Sequence, residues 1–388
     1  MPSDATFTRR FAIPPTVAGG PLEGVRVSIK ALFDVAGHPT TAGTVVLGDP
    51  PATRDAMAVA RLRAAGATLV GHTSMTELAY SGLGLNPHTG TPANPLRPGR
   101  IPGGSTSGGA VSVATDEADM ALGTDTGGSL RIPAAFCGLV GFKPTQASVP
   151  RDGCVPLSRS LDSVGPIARD VATVAAGWRA LSGAKAHGTA PARLIVPTGF
   201  GRDGLDDEVA AAFSRALDAL RATDLTVEER ALPVLDAYRR HPAWHYAAVE
   251  SRAAHPQVWE RRDRLDPRVA ARMARADGVT AIDYARTLAQ REVLIAAFGE
   301  ALSGAALALP TVAVAPPRFD DLLDDADYDR LNLLCLRNTL VANVVDGCSV
   351  SLPIGRGSPV GLMLTMPGGS DAALLRLAAG AEPALRDA

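Results

Sequence analysis

Most of the signatures from which a function is commonly read are missing from this 388-residue chain. No apolar run approaches the roughly 20 residues of a membrane span, and the opening "MPSDATFTRRFAIPPTVAGG" holds no apolar stretch of signal-peptide length, so a cytoplasmic protein without a membrane partner is expected. Cysteine is scarce: Cys137, Cys154, Cys335 and Cys348 show neither CxxC nor metal-ligand spacing, and are read as reduced thiols with no metal and no disulfide. Neither sign of charge is in excess, with a formal net charge of −2, which gives no reason to expect nucleic acid or an anionic membrane as partner. The arginine-rich stretch 252–291 is interleaved with Asp and Glu and reads as a solvated helical face. There is no Walker A motif, and "SGLGLN" is too slight a glycine pattern for a dinucleotide fingerprint, so no cofactor is expected. Lysine is the scarcest basic residue: of 38 Lys and Arg side chains only Lys30, Lys143 and Lys185 are lysines.

What is present is an alternation of strand and helix patterns. "LEGVRVSIKALFDVAG" (22–37) alternates and then turns; "RDAMAVARLRAAGATLVGHTSM" reads as helix, glycine stop and apolar strand; "GAVSVATDEADMALGTDTGG" repeats that order. At 46% hydrophobic residues the chain can bury one large core or two modest ones. From about 183 the texture changes. After the small polar connection "SGAKAHGTAPA" and one strand-like stretch, "RLIVPTGF", it turns helical, and strand texture returns with "ALALPTVAVAPP" and "CSVSLPIG…PVGLMLTM". The expectation is an α/β fold: a large mixed, mostly parallel sheet flanked by helices on both faces. A single domain spans 1–388, with its core at about 21–182 and 306–388 and a helical excursion at about 187–305.

Two polar clusters interrupt this pattern. In "RIPGGSTSGGA" (100–110) four glycines surround Ser105, Thr106 and Ser107, a composition that suits a flexible linker or an anion-cradling loop. In "ALGTDTGGSLRIPAAFCG" (121–138) glycines directly before Ser129 let successive N–H groups point at one spot, as an oxyanion hole requires. A serine nucleophile needs a base within reach. None of the seven histidines stands in a serine-hydrolase signature, G-x-S-x-G is absent, and His88 in "NPHTGTP" reads as a structural or pocket residue. A desolvated lysine is the other base, since arginine keeps its proton. Lys30 follows "VRVSI" and precedes "ALF", where burial is expected; a lysine snorkelling to the surface is the plainer reading of the position alone.

In combination, Lys30 after an apolar strand, "GGSTSGGAVSVA" and "GTDTGGSLRIPAAFCGLVGFKPT" resemble the amidase signature family. Its members hydrolyse carboxamides with a Ser–Ser–Lys triad, one of whose serines follows a cis peptide bond. The likeness starts at "GPLEGVRVSIK", runs through "TELAYSGLGLNPHTGTPANP", and reappears in "ALPTVAVAPP", "NTLVANVVDG" and "SLPIG…PVGLML". The resemblance implies that Ser129 is the nucleophile, that Ser105, 24 residues earlier, is the cis-serine, and that Lys30 is the base. It also implies an oxyanion hole from the backbone N–H groups of Thr126, Gly127, Gly128 and Ser129, and a Gly104 small enough to allow the cis peptide. On that reading the first cluster is not a linker. Asp125 and Arg131 would hold the nucleophile loop by ion pairing or hydrogen bonds. Met75, Thr76, Tyr80 and Asn86 lie in the stretch that lines the substrate side in relatives, and Cys137 is read as a packed core thiol.

Three departures from the family pattern stand out. Ala31 occupies the place of an acid that usually follows the lysine, leaving its task to Asp34 or to nothing; "GGSTSGG" replaces the common "GGSSGG", with Ser107 the less favoured cis-serine; and only about 20 residues precede "GPLEG", without the N-terminal helices of longer members. The expected function is a cofactor-free amidase that turns a small carboxamide into a carboxylate and ammonia or an amine. The texture resembles shorter members such as indoleacetamide hydrolases, which implies a primary amide with an aryl or indole acyl part. No nucleic-acid partner is expected, and a homodimer stays open. Two other readings remain. One is the amide-hydrolysing component of a tRNA-dependent amidotransferase, which needs an ammonia route and a partner chain; the other is a non-catalytic α/β ligand-binding protein.

Overall fold

Eleven short strands rich in aliphatic residues pair into one sheet. They are β1 (Phe7–Ile13), β2 (Arg26–Lys30), β3 (Thr68–Thr73), β4 (Met120–Asp125), β5 (Val140–Lys143), β6 (Ser163–Ala168), β7 (Arg193–Pro197), β8 (Thr226–Arg230), β9 (Ala306–Pro310), β10 (Cys348–Pro353) and β11 (Gly361–Met366). The computed structural model describes residues 5–184 and 188–388; Lys185, with part of the small polar connection, lies outside them. The strand order is β1-β3-β2-β4-β6-β5-β10-β11-β9-β7-β8. Central strands β4, β10 and β11 are buried along their whole length, as a sheet covered on both faces demands, whereas edge strand β1 shows charged residues to solvent.

The sheet is mixed, as expected, but it is not mostly parallel. Only β3–β2, β2–β4, β9–β7 and β7–β8 pair in parallel; the other six pairings are antiparallel. The reason lies in short returns such as the seven residues between β10 and β11, which cannot span a parallel crossover. The segment expected as a helical excursion also contributes β7 and β8 to the same sheet, and its helices run without further strands only over 233–302. The second of these strands, "TVEER", is short and charged because it forms a sheet edge.

This topology decides where the polar clusters meet. Strands β2 and β4 are parallel neighbours in register Val27↔Met120 and Ile29↔Leu122, so their last residues, Lys30 and Asp125, leave the sheet at the same end. The glycine–serine cluster leads into helix Ser107–Ala114, which packs on β2 and β4. The second cluster leads from β4 into helix Arg131–Phe136, which packs on β5 and β10. Helix Asp325–Val344 crosses that short helix; Asp324 caps it by accepting from the Ala326 and Asp327 N–H groups, a contact of about 1 kcal/mol.

Candidate active site

Lys30 ends β2 fully buried and bonds to no carboxylate. Its Nζ donates to Ser105 Oγ at 2.8 Å and to Thr124 Oγ1 at 3.0 Å. Burial pulls the ammonium down from 10.5 to about 7, opposed by the charges of Asp125 and Asp162. The place of the missing acid after Lys30 is not taken by Asp34, whose carboxylate accepts from Thr40 Oγ1 at 2.6 Å. Ser105 is also fully buried and follows a cis Gly104–Ser105 peptide. Gly104 is required by close approach: a Cβ there would sit 2.6 Å from the Cα and N of Gly84.

The loop that bears Ser129 is tied from below. Arg131 is completely buried and makes a two-pronged pair with Asp125, Nε to Oδ2 at 3.0 Å and Nη2 to Oδ1 at 2.8 Å. Burial alone would raise the Asp125 carboxyl, but Arg131, Asn343 and Lys143 outweigh it and hold it near 2. The expected supporting roles of Asp125 and Arg131 therefore have geometric backing. One expectation changes. Gly128 gives its N–H to Asp125 Oδ1 at 2.8 Å, and Leu130 gives its own to Oδ2 at 3.1 Å, so the loop-tying carboxylate takes the Gly128 donor. Thr126, Gly127 and Ser129, the other three residues expected to supply N–H donors, line the cavity described below. Gly128 is there for its backbone, at φ +141°, where a Cβ would meet Thr339 Oγ1 at 2.3 Å.

Three further residues hold this loop and were not singled out in the sequence. Thr339 Oγ1 donates to the Gly127 carbonyl at 2.5 Å, and Asn343 Nδ2 donates to both the backbone carbonyl and the carboxylate of Asp125 at 3.0 Å. Both stand on helix Asp325–Val344, four residues apart and so on one face; polar residues at that spacing inside "NTLVANVVDG" were the available signal. Asp162 accepts from Thr126 Oγ1 at 2.6 Å, and burial raises its carboxyl to about 6.

Above the loop opens a cavity of about 950 Å³. Thr126, Gly127 and Ser129 form its floor, while Leu157, Phe200, Tyr238, Trp244, Leu336 and Leu340 supply apolar wall. Ser129 is 4% exposed there, and its hydroxyl makes no hydrogen bond to Ser105. Of the four residues expected on the substrate side, Tyr80 alone lines the cavity. Met75 is packed in the core. Thr76 lies behind Ser105, its N–H donating to the Ser105 carbonyl at 3.2 Å. Asn86 staples its own loop, donating to the carbonyls of Gly43 and Met75 and accepting from the N–H groups of His88 and Thr89. The stretch 75–86 thus lines the cavity through Ala79, Tyr80 and Ser81, while Met75, Thr76 and Asn86 buttress it from behind. His88 sits apart from the cavity, its Nε2 3.1 Å from Glu77 Oε1. Among the described residues no group of three or more His, Cys, Asp or Glu is arranged to hold a metal ion, and no helix is long and apolar enough to cross a membrane.

Comparison with known proteins places the chain in a family. The Amidase family model matches residues 7–375. The chain is 36% identical to 2-amino-5-chloromuconic acid deaminase of Comamonas testosteroni, over 94% of this chain and 82% of that protein. It is 33% identical to a glutamyl-tRNA(Gln) amidotransferase subunit of Halobacterium salinarum, over 94% of this chain and 96% of that one. A crystal structure described as an amidase superimposes with a TM-score of 0.86 at 35% identity, covering 94% of this chain and 86% of its own.

Proposed function

This chain belongs to the amidase signature family and is a hydrolase of amide C–N bonds, and from that premise we propose that Lys30, Ser105 and Ser129 are its catalytic triad. The observation that carries the reading is the 2.8 Å contact between a fully buried, carboxylate-free Lys30 and Ser105. Burial lowers the Lys30 pKa to about 7, which brings the neutral amine within reach near neutral pH. Neutral Lys30 takes a proton from Ser105, which takes one from Ser129 as that oxygen attacks the amide carbon. The Thr126, Gly127 and Ser129 N–H groups receive the developing oxyanion. The proton returns through Ser105 to the leaving nitrogen, and the C–N bond breaks to leave an acyl-enzyme. Water, deprotonated by the same relay, then attacks the acyl carbon and releases the carboxylate. Substrate binding would bring Ser129 into hydrogen-bond reach of Ser105, a tightening common on the way to the transition state.

The substrate on this reading is a small-molecule amide, and the four free thiols support a reducing, cytoplasmic setting. Ammonia release over a panel of primary amides, with Ser129→Ala and Lys30→Met as controls, tests the assignment. Turnover by Ser129→Ala at the wild-type rate would overturn it. The full-length likeness to the amidotransferase component keeps one second reading in view, a chain that hydrolyses an amide on behalf of a partner. Amide hydrolysis by the isolated chain favours the first reading; glutaminase activity appearing only with a copurifying partner favours the second.

A further inference from the structure

The cavity wall carries an unbalanced charge. Among the described residues five arginines line it (Arg239, Arg272, Arg275, Arg330 and Arg337) but one carboxylate, Asp203; Asp325 and Asp329 line an adjoining pocket that Arg272 and Arg275 also border. Asp203 is shared, 3.4 Å from Arg239 and 3.8 Å from Arg337. Arg272 and Arg330 are paired with Asp329 and Asp327, at 2.8 Å each. Arg275 has no carboxylate. Its guanidinium lies 4.2 Å from the centre of the Trp244 ring, and it makes no ion pair among the described residues. The nearest acid in sequence, Asp277, is 3.2 Å from Arg252 instead. A guanidinium stacked by its face on an indole keeps its N–H edges for a planar acceptor.

Size points the same way. About 950 Å³ is at the upper end of small-molecule pockets and exceeds what a short primary amide fills. Leucine and aromatic side chains line the same cavity as Ser129 and the arginines. Resting on the amidase reading, we propose that the enzyme takes an elongated amide with an apolar middle and a carboxylate at the end remote from the scissile bond, and that Arg275 receives this carboxylate. Arg239 and Arg337, which divide a single acid between them, supply the surrounding positive field. Apolar walls strengthen such a pair relative to water.

The test compares monoamides of α,ω-diacids, four to eight carbons long, with alkanamides of the same length. In wild-type enzyme kcat/KM for the acid amides is expected to exceed that of their neutral counterparts by about tenfold or more at the best chain length, a preference that shrinks with added salt. Arg275→Gln should collapse the ratio toward one, and Arg275→Lys should recover part of it. Equal or better turnover of the neutral amides, or an unchanged ratio in Arg275→Gln, overturns the proposal. Binding to the Ser129→Ala protein, measured by calorimetry, separates this from the amidase reading. Tighter binding of the acid amides there, even if wild-type enzyme releases no ammonia, upholds the anion subsite while the hydrolytic reading fails. Binding of neither series, or of the neutral one more tightly, overturns the subsite.

Discussion

On the floor of the cavity, side chains are buried and their charges are settled inside the protein. Arg131 is matched prong for prong to Asp125, Asn343 bridges the pair, and Lys30, bonded only to hydroxyls and a carbonyl, is driven toward neutrality by burial. On the wall, arginines from the helices of 233–344 lie at or near the surface, pair with exposed acids or stack on rings, and keep an excess of positive charge. The floor is built for a single reaction geometry, because each buried polar group must find its partner. The wall is constrained far less, and on the reading proposed above selectivity is set there. Substitutions on the floor should therefore act on kcat, on stability or on both, and those on the wall on the ranking of substrates.

The largest effect is expected at the triad. Ser129→Ala, Ser105→Ala and Lys30→Met should each lower kcat by about 10⁴-fold or more in an ammonia-release assay, since members of one relay fail together. Lys30→Met carries a second expectation that only a buried, depressed lysine meets. Between about pH 7 and the unfolded value near 10.5 the unfolded chain holds a proton that the folded chain lacks, so wild-type stability rises with pH across that window. Below it, a buried ammonium opposes folding. The Tm of Lys30→Met should therefore exceed that of wild type, with the gap widest near pH 6 and closing toward pH 10. A lower Tm at pH 6 would mean that Lys30 is held charged.

Next comes the pair beneath the loop. Asp125→Ala leaves Arg131 buried without its counter-charge and should destabilise the fold by about 3–5 kcal/mol, measured by denaturant unfolding. Because the folded carboxyl is held near 2, below its unfolded value, the pair's stabilisation is present above about pH 4 and fades as pH falls through 2. Asp125→Ala should flatten that acid limb. If stability is unchanged, the matched-charge account of the floor is wrong.

These floor residues were legible in the sequence to different degrees, for physical reasons. Ser105 and Ser129 stand in glycine and hydroxyl runs that tolerate few alternatives, Lys30 ends an apolar strand in a chain with three lysines, and the strand–helix alternation around them foretold the layered fold. The parallel-to-antiparallel balance was not readable, because periodicity within a strand says nothing about which neighbour it meets. Gly128 was assigned as a donor when its N–H is taken by Asp125, since spacing alone cannot distinguish a free N–H from a bonded one. Thr339 and Asn343 come from more than 200 residues away, and only tertiary packing brings them under the loop. Met75, Thr76, Tyr80 and Asn86 were read as substrate contacts from the stretch that lines the substrate side in relatives; of the four, Tyr80 lines the cavity and the others are buried behind it. Of the wall arginines, Arg272 and Arg275 fell in the stretch 252–291 read as a solvated face, with nothing local to show that they border a cavity.

A smaller effect is expected at Gly104. Its missing side chain faces the backbone of Gly84 at 2.6 Å, which cannot swing aside as a flexible side chain would, so a methyl group must displace the segment bearing Ser105. Gly104→Ala should reduce kcat by about 10²-fold, the scale on which a misplacement near 1 Å acts, with KM changed much less. A change confined to KM would place this loop with the wall instead of the floor.

The smallest effect is expected at His88, and it bears on which base the floor uses. Activity should rise through about pH 7 as Lys30 loses its proton, a limb close to the ordinary histidine value of about 6.5, so a pH profile alone does not tell lysine from histidine. Substitution does. His88 lies outside the cavity with its ring against Glu77, a carboxyl fully buried and raised by that burial, which also accepts from the Asp266 N–H at 2.7 Å. Its role on this geometry is to join the loop at 88 to the segment that begins the helix at Pro267, on the side of the molecule where the wall starts. His88→Ala should therefore lower Tm by a few degrees through the exposed end of Glu77, while kcat falls less than about threefold and the limb near pH 7 stays in place. Loss of that limb in His88→Ala, or a fall in kcat matching that of Lys30→Met, would move the base from the floor to the loop and undo the division drawn between them.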